Sequence, residues 1–197
     1  MPVRIDYEYI EDHVPSGARV LDLGCGDGGL LARLQEEKDV SGQGIEIDEE
    51  AVRECIKRGV PVYHGDMLEG MRMFPDDEFD CVILSQTLQQ ALRPAEVVEE
   101  MLRVGRVAII SFPNFGHWTA RLRLLFNGSA PVTPTLPYTW YETPNLRVIT
   151  VRDFHHFCEE RNLKIVDSMF FTPSYVRLPS ILANLFASIA IFVVECR

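Results

Sequence analysis

The residues with the clearest chemical reading lie together in Asp22-Leu23-Gly24-Cys25-Gly26-Asp27-Gly28. Glycines let a backbone take positive φ and let a ligand come close to the chain. With Gly29 the run also fits G-x-G-x-x-G, a pattern shared by dinucleotide sites. Glu46 follows about 20 residues later, the spacing of a carboxylate that holds ribose hydroxyls, and it suits either kind of ligand. Asp22, two residues before the first glycine, and Asp66, in Gly65-Asp66-Met67, separate the two cases. A pyrophosphate is disfavoured beside extra carboxylates, whereas a ligand carrying an amino group and a sulfonium charge is favoured. Asp66 is placed to accept a hydrogen bond from an adenine amino group.

Further on, Ser85-Gln86-Thr87-Leu88-Gln89-Gln90 offers amides that either bind a polar substrate or cap a helix. His117 is the best-placed candidate for a general base, although a surface histidine at a helix start is the plainer reading. His64 reads as a strand end. His155 and His156 are adjacent, so on a helix they point about 100° apart and cannot chelate a metal as a pair. Tyr138, Trp140 and Tyr141 either close over a ligand, anchor a partner or pack as a lid, since interface hot spots favour Trp and Tyr. Between positions 101 and 150 the only acid is Glu142, against Arg103, Arg106, Arg121, Arg123 and Arg147. That basic stretch reads either as scattered solvated charge or as a docking face for an acidic surface or an anionic substrate.

Short elements must position these groups. Residues 19–23 form an apolar run that ends in the glycine turn, which predicts strand one. Leu30, Leu31 and Leu34 have helical spacing within 29–38. Strands are expected at 42–47, 60–64, 79–85, 106–112, 164–171 and 189–196, and helices at 48–58, 94–104 and 152–162. Strands alternating with helices through short links predict a Rossmann-like α/β domain, with a seven-stranded, mostly parallel sheet flanked by helices. In such sheets ligands sit beyond the carboxyl ends of the strands, where the strand order reverses. One segment breaks the rhythm. Residues 113–150 hold no strand, a helix at 117–127 with Trp118, Leu122, Leu125 and Phe126 on one face, and then a long aromatic connector. Connectors of this length are often lids or binding loops.

The 197 residues suit a single domain, 1–197, with 113–150 as a helix-plus-loop insertion. The net charge of −10 disfavours unspecific nucleic-acid binding. Five cysteines, an odd number with no C-x-x-C pair, point to free buried thiols in a reducing, cytoplasmic setting and to no zinc site. Residues 1–6 lack the apolar core of a signal peptide, and the apolar stretch 181–194 is too short to span a bilayer. No membrane partner is expected.

The stretches around 20–28, 44–48, 65–67 and 79–86, in that order, resemble the motifs of S-adenosylmethionine-dependent methyltransferases. The resemblance implies S-adenosylmethionine or S-adenosylhomocysteine as cofactor. Asp22, Gly24, Cys25, Gly26, Asp27, Gly28, Glu46, Ile47, Asp66, Met67 and Ser85 would then line it, with Cys25 and Asp27 as small turn residues. The run at 21–28, Gln86-Thr87-Leu88-Gln89, Phe112-Pro113-Asn114-Phe115 and the stretch 136–145 resemble the MetW family of methionine-biosynthesis proteins over nearly the whole chain. That resemblance implies homoserine O-acyltransferase as partner, assisted by the MetW-like chain. Gln86, Asn114, His117, Trp118, Tyr138, Trp140 and Tyr141 are the residues expected to meet a substrate or partner. The alternative is an active methyltransferase on a small acceptor. Methyl transfer is an in-line displacement that needs positioning more than a catalytic residue, so the missing nucleophile motif decides little between the two.

Overall fold

The computed structural model describes residues 5–196, so residues 1–4 of the N-terminal stretch read above lie outside it. Seven strands form one sheet in the order β3-β2-β1-β4-β5-β7-β6. They are β1 (Arg19–Leu23), β2 (Ser41–Glu46), β3 (Val62–His64), β4 (Phe79–Ser85), β5 (Gly105–Pro113), β6 (Leu163–Phe171) and β7 (Ile189–Cys196). The pairings β3-β2-β1-β4-β5 are parallel, whereas β7 runs antiparallel to both β5 and β6.

Central strands are buried on both faces, so nearly every residue in them is apolar. Successive side chains point to opposite faces. Leu21, Val82, Leu84, Ala108 and Ile110 belong to one core cluster, and Val20, Cys81, Ile83 and Ile109 to the other. Helices α1 (Ile5–His13), α2 (Gly29–Lys38) and α3 (Glu49–Arg58) cover the second cluster. Helices α4 (Met67–Met71), α5 (Pro94–Val104), α7 (Val151–Glu160) and α8 (Ser180–Phe186) cover the first. Local chemistry fixes several of their ends. Asp48 caps α3 by accepting from the Ala51 N–H, and Gly59 closes the helix with φ 76°. Thr150 and Asp153 form a reciprocal capping box on α7.

Three helices go beyond the expected elements. In α1, Tyr9 and Ile10 are buried within an acid-rich segment, and the helix is tied to β6 by Tyr9 Oη donating to Asp167 (2.8 Å) and by His13 Nε2 (3.0 Å). The five-residue α4 and the seven-residue α8 are too short for a readable period. The expected helix at 117–127 is α6 (Trp118–Asn127), but its apolar side chains do not face the core. Ala120 is its only buried residue, while Leu122, Leu124, Leu125 and Phe126 are exposed. Among the described residues no helix is long and apolar enough to cross a membrane.

Candidate functional site

The sheet order reverses at β1, which has β2 on one side and β4 on the other. A cavity of about 420 Å³ lies at the carboxyl ends of these strands, where ligands of open α/β sheets bind. Gly24, Glu46, Ile47, Asp66 and Met67 line it, as does Gly65. Gly24 has φ 64°, and a Cβ there would stand 2.9 Å from the Thr87 methyl group, so only glycine fits between the loop and that side chain.

Glu46, at the end of β2, organises the loop. Its Oε2 accepts the Gly26 N–H at 2.8 Å. Its Oε1 accepts the N–H groups of Ile47 (2.8 Å) and Asp48 (2.9 Å). A carboxylate offers about four acceptor positions, so one remains open after these three bonds. Asp66 caps α4, its Oδ1 accepting from Leu68 (2.9 Å) and Glu69 (3.2 Å). The strand-end carboxylates expected from the sequence therefore come together at one cavity, and both also hold backbone.

Other expected residues lie outside the cavity lining. Asp22 is buried beneath the loop. Cys25 turns inward, with its Sγ 3.8 Å from Cys55 Sγ, and burial pushes both thiols up. Asp27 pairs with Arg58 at 2.7 Å and accepts the Gly29 N–H at 3.1 Å. Gly28 packs against Cys55 and Val60 at the start of α2. Ser85 Oγ donates to Asp6 Oδ2 on α1 at 2.8 Å. In their place, Thr87, Gln90, Ala91 and Leu92 complete the cavity. The polar run 85–90 was a signal for them. Gln86 takes φ 55°, and its N–H donates to the Ser111 carbonyl and hydroxyl, both at 3.0 Å. That turn throws the following 3-10 helix, Leu88–Gln90, across the cavity mouth.

Asn114 and His117 serve structure. Asn114 is 1% exposed. Its Nδ2 donates to the carbonyls of Ala183 (3.3 Å), Asn184 (3.3 Å) and Ala187 (2.8 Å), and its Oδ1 accepts from Gly116 (2.9 Å) and Val151 (3.3 Å). It thereby pins α8 and the start of α7 to the end of β5. His117 caps α6, its Nδ1 accepting the Thr119 N–H, and burial holds the imidazole below its usual pKa. It lines a separate cleft with Trp118 and Phe186.

Tyr138 and Trp140 line a further groove of about 320 Å³, between α6 and the connector. Tyr141 stands edge-on to Trp140, with ring centroids 5.5 Å apart. The connector then crosses to the cavity rim. The N–H groups of Leu146 (2.9 Å) and Arg147 (3.0 Å) donate to the Gln89 carbonyl, and Arg147 Nη2 donates to the Leu92 carbonyl at 2.6 Å.

This sheet, with its reversed β7 and its glycine loop at the strand-order reversal, is the Rossmann-like fold of class I methyltransferases. A SAM-dependent methyltransferase from Archaeoglobus fulgidus superimposes with a TM-score of 0.69 at 16% identity, covering 96% of this chain and 94% of that one. An S-adenosylmethionine-dependent methyltransferase from Mesorhizobium loti gives 0.69 at 16% identity, covering 96% and 97%. Likeness at that identity shows the fold alone. The profile described as methionine biosynthesis protein MetW matches residues 4–194, and the chain belongs to that family. It is 37% identical over 177 residues to a "Bifunctional methionine biosynthesis protein MetXA/MetW" from Rhodopirellula baltica. The match covers 85% of this chain and 28% of that relative, so the chain spans little more than a quarter of its length.

Proposed function

We propose that this MetW-family chain binds S-adenosylmethionine in the 420 Å³ cavity and assists a homoserine O-acyltransferase in methionine biosynthesis. The observation that carries the assisting role is the fused relative, in which a MetW part is joined to a MetXA part in one polypeptide. We read MetXA as the acyltransferase that the family resemblance implies.

The cavity suits the cofactor in volume and in donor set, being within the range of small-molecule sites. The open acceptor position of Glu46 takes a ribose hydroxyl. Gly24 leaves room for the ligand to lie against the backbone, and the edge at Asp66 and Met67 receives the adenine. When bound, the cofactor supplies an electrophilic methyl group on its sulfonium. The carboxylates at the cavity are engaged by backbone N–H groups, and the histidine best suited to act as base, His117, belongs to another cleft. That arrangement favours a bound cofactor that is read over one that is consumed.

The test has two arms. Calorimetry with S-adenosylmethionine and S-adenosylhomocysteine is expected to give one site per chain, and no heat with either ligand rejects the cofactor. Acyltransferase activity is then measured with and without this chain, alongside release of S-adenosylhomocysteine. Stimulation without release supports the assisting role. Release with a defined small acceptor, and no stimulation, supports an active methyltransferase in its place.

A further inference from the structure

Positive charge on this protein divides into two populations. Every other described arginine lies within 4.0 Å of a carboxylate, but Arg121, Arg123, Arg147, Arg152 and Arg177 do not. These five sit on α6, the connector, the start of α7 and the segment before α8. Asn184 ties two of their segments together: its carbonyl accepts from Arg121 Nη2 (3.3 Å), and its Oδ1 accepts the backbone N–H of Arg152 (3.1 Å). In a chain of net charge −10, two of these five, Arg121 and Arg147, line one groove between α6 and the connector.

α6 and the connector also carry exposed apolar bulk. The groove there is lined by Leu124, Leu136, Tyr138 and Trp140, with Arg121 and Arg147 at the same wall. Phe126 and Trp140 are each 76% exposed, and Leu125 is 73% exposed. Monomeric proteins rarely leave a joined apolar patch of this kind without a use. Trp, Tyr and Arg are the residues that dominate binding energy at interfaces.

We propose that this groove is the docking site for the homoserine O-acyltransferase, through an acidic surface on that enzyme that sets carboxylates beside apolar side chains. This rests on the assisting role proposed above. Charge complementarity sets the sign of the partner surface, since Arg121 and Arg147 of the groove lining are held by backbone carbonyls and pair with no carboxylate among the described residues. A second copy of this chain is disfavoured, because it would bring together two bodies of net charge −10. The fused relative supplies the identity, because there a MetW part and a MetXA part belong to one bifunctional protein.

The test uses the full chain and the purified acyltransferase of the same source, with affinity read by calorimetry. Trp140→Ala removes the largest exposed side chain of the groove. Arg123→Glu reverses a charge on α6 that pairs with no carboxylate among the described residues, and Arg53→Glu on α3 is the control. Circular dichroism and S-adenosylmethionine binding check that each variant is folded. Trp140→Ala is expected to weaken association by about thirtyfold. Arg123→Glu is expected to weaken it and to flatten its salt dependence, while Arg53→Glu leaves both as in the wild type. If the wild type does not bind the acyltransferase, the assisting role falls and this site with it. If the wild type binds and both groove variants match it, the role stands and the site is wrong. If the wild type alone is a dimer that Trp140→Ala dissociates, the groove is a self-interface and the proposal is overturned.

Discussion

Glu46 does two jobs with one carboxylate. Three backbone donors, from Gly26, Ile47 and Asp48, converge on it in a nearly buried position. In Glu46→Gln an NH₂ group must face at least one of those N–H donors, so a buried donor loses its acceptor. The expected loss of stability is about 1–3 kcal/mol, measured by urea unfolding. A variant as stable as the wild type would mean that the glycine loop does not depend on this brace. His117 supports a second expectation. Burial lowers its pKa in the folded chain, so below its unfolded value of about 6.5 the unfolded state takes up a proton that the folded state resists. Its contribution to stability is therefore intact above that pH and is lost as the pH falls through the depressed value. His117→Asn, which keeps a capping side chain, should flatten the fall in melting temperature between about pH 6.5 and 5. At this scale the carboxylates were legible, because spacing after a glycine turn places them at strand ends. The polar run 85–90 pointed to Thr87 and Gln90 as a group, but Leu92 lies beyond it and had no polar signal to mark it. Ser85 donates to Asp6 of α1, a partner that the sequence reading did not include.

At the scale of elements, periodicity told which segments are regular but not what each face meets. The spacing of Trp118, Leu122, Leu125 and Phe126 reads as a core-facing stripe, and it faces outward. A hydrophobic period identifies a stripe, whereas its occupant is set by tertiary packing. β7 was recognisable as a buried strand from its β-branched run, but its antiparallel placement between β5 and β6 depends on chain path. Asn114 shows how much an element's position can rest on one side chain. Asn114→Ala leaves three carbonyls around α8, and the N–H groups of Gly116 and Val151, without their side-chain partner. Denaturant unfolding is expected to show a loss of about 2–4 kcal/mol. An effect below about 0.5 kcal/mol, typical of surface changes, would show that α8 is held by packing alone.

Across the whole molecule, the groove and the strand-end cavity meet at one hydrogen-bonded wall. The connector that carries Tyr138 and Trp140 continues to Leu146 and Arg147, which bond to Gln89 and Leu92, and Leu92 lines the cavity. Gln89 is almost fully buried under the connector, so a connector that moves away deprives its carbonyl of both N–H donors. Ligation at either place should then alter affinity at the other by the same factor, since coupling between sites is reciprocal. The measurement is the dissociation constant for S-adenosylmethionine with and without saturating acyltransferase, and the converse. Equal affinities in both states would show that the shared wall transmits nothing.

The inward turn of Cys25 has a consequence for chemical labelling. Cys25, Cys55, Cys81 and Cys158 are buried, and burial raises all four thiols, Cys81 to about 12 and Cys158 to about 11. The thiolate is the species that reacts with an alkylating agent. Cys196 is exposed. One thiol per chain should therefore be alkylated first at neutral pH, and four should wait for the chain to open. Mass spectrometry of a timed iodoacetamide reaction would resolve the two classes. The slow class then works as a clock for opening of the sheet and the glycine loop, with no probe added to the protein. Rapid loss of a second thiol would mean that the loop opens locally while the rest of the sheet stays closed.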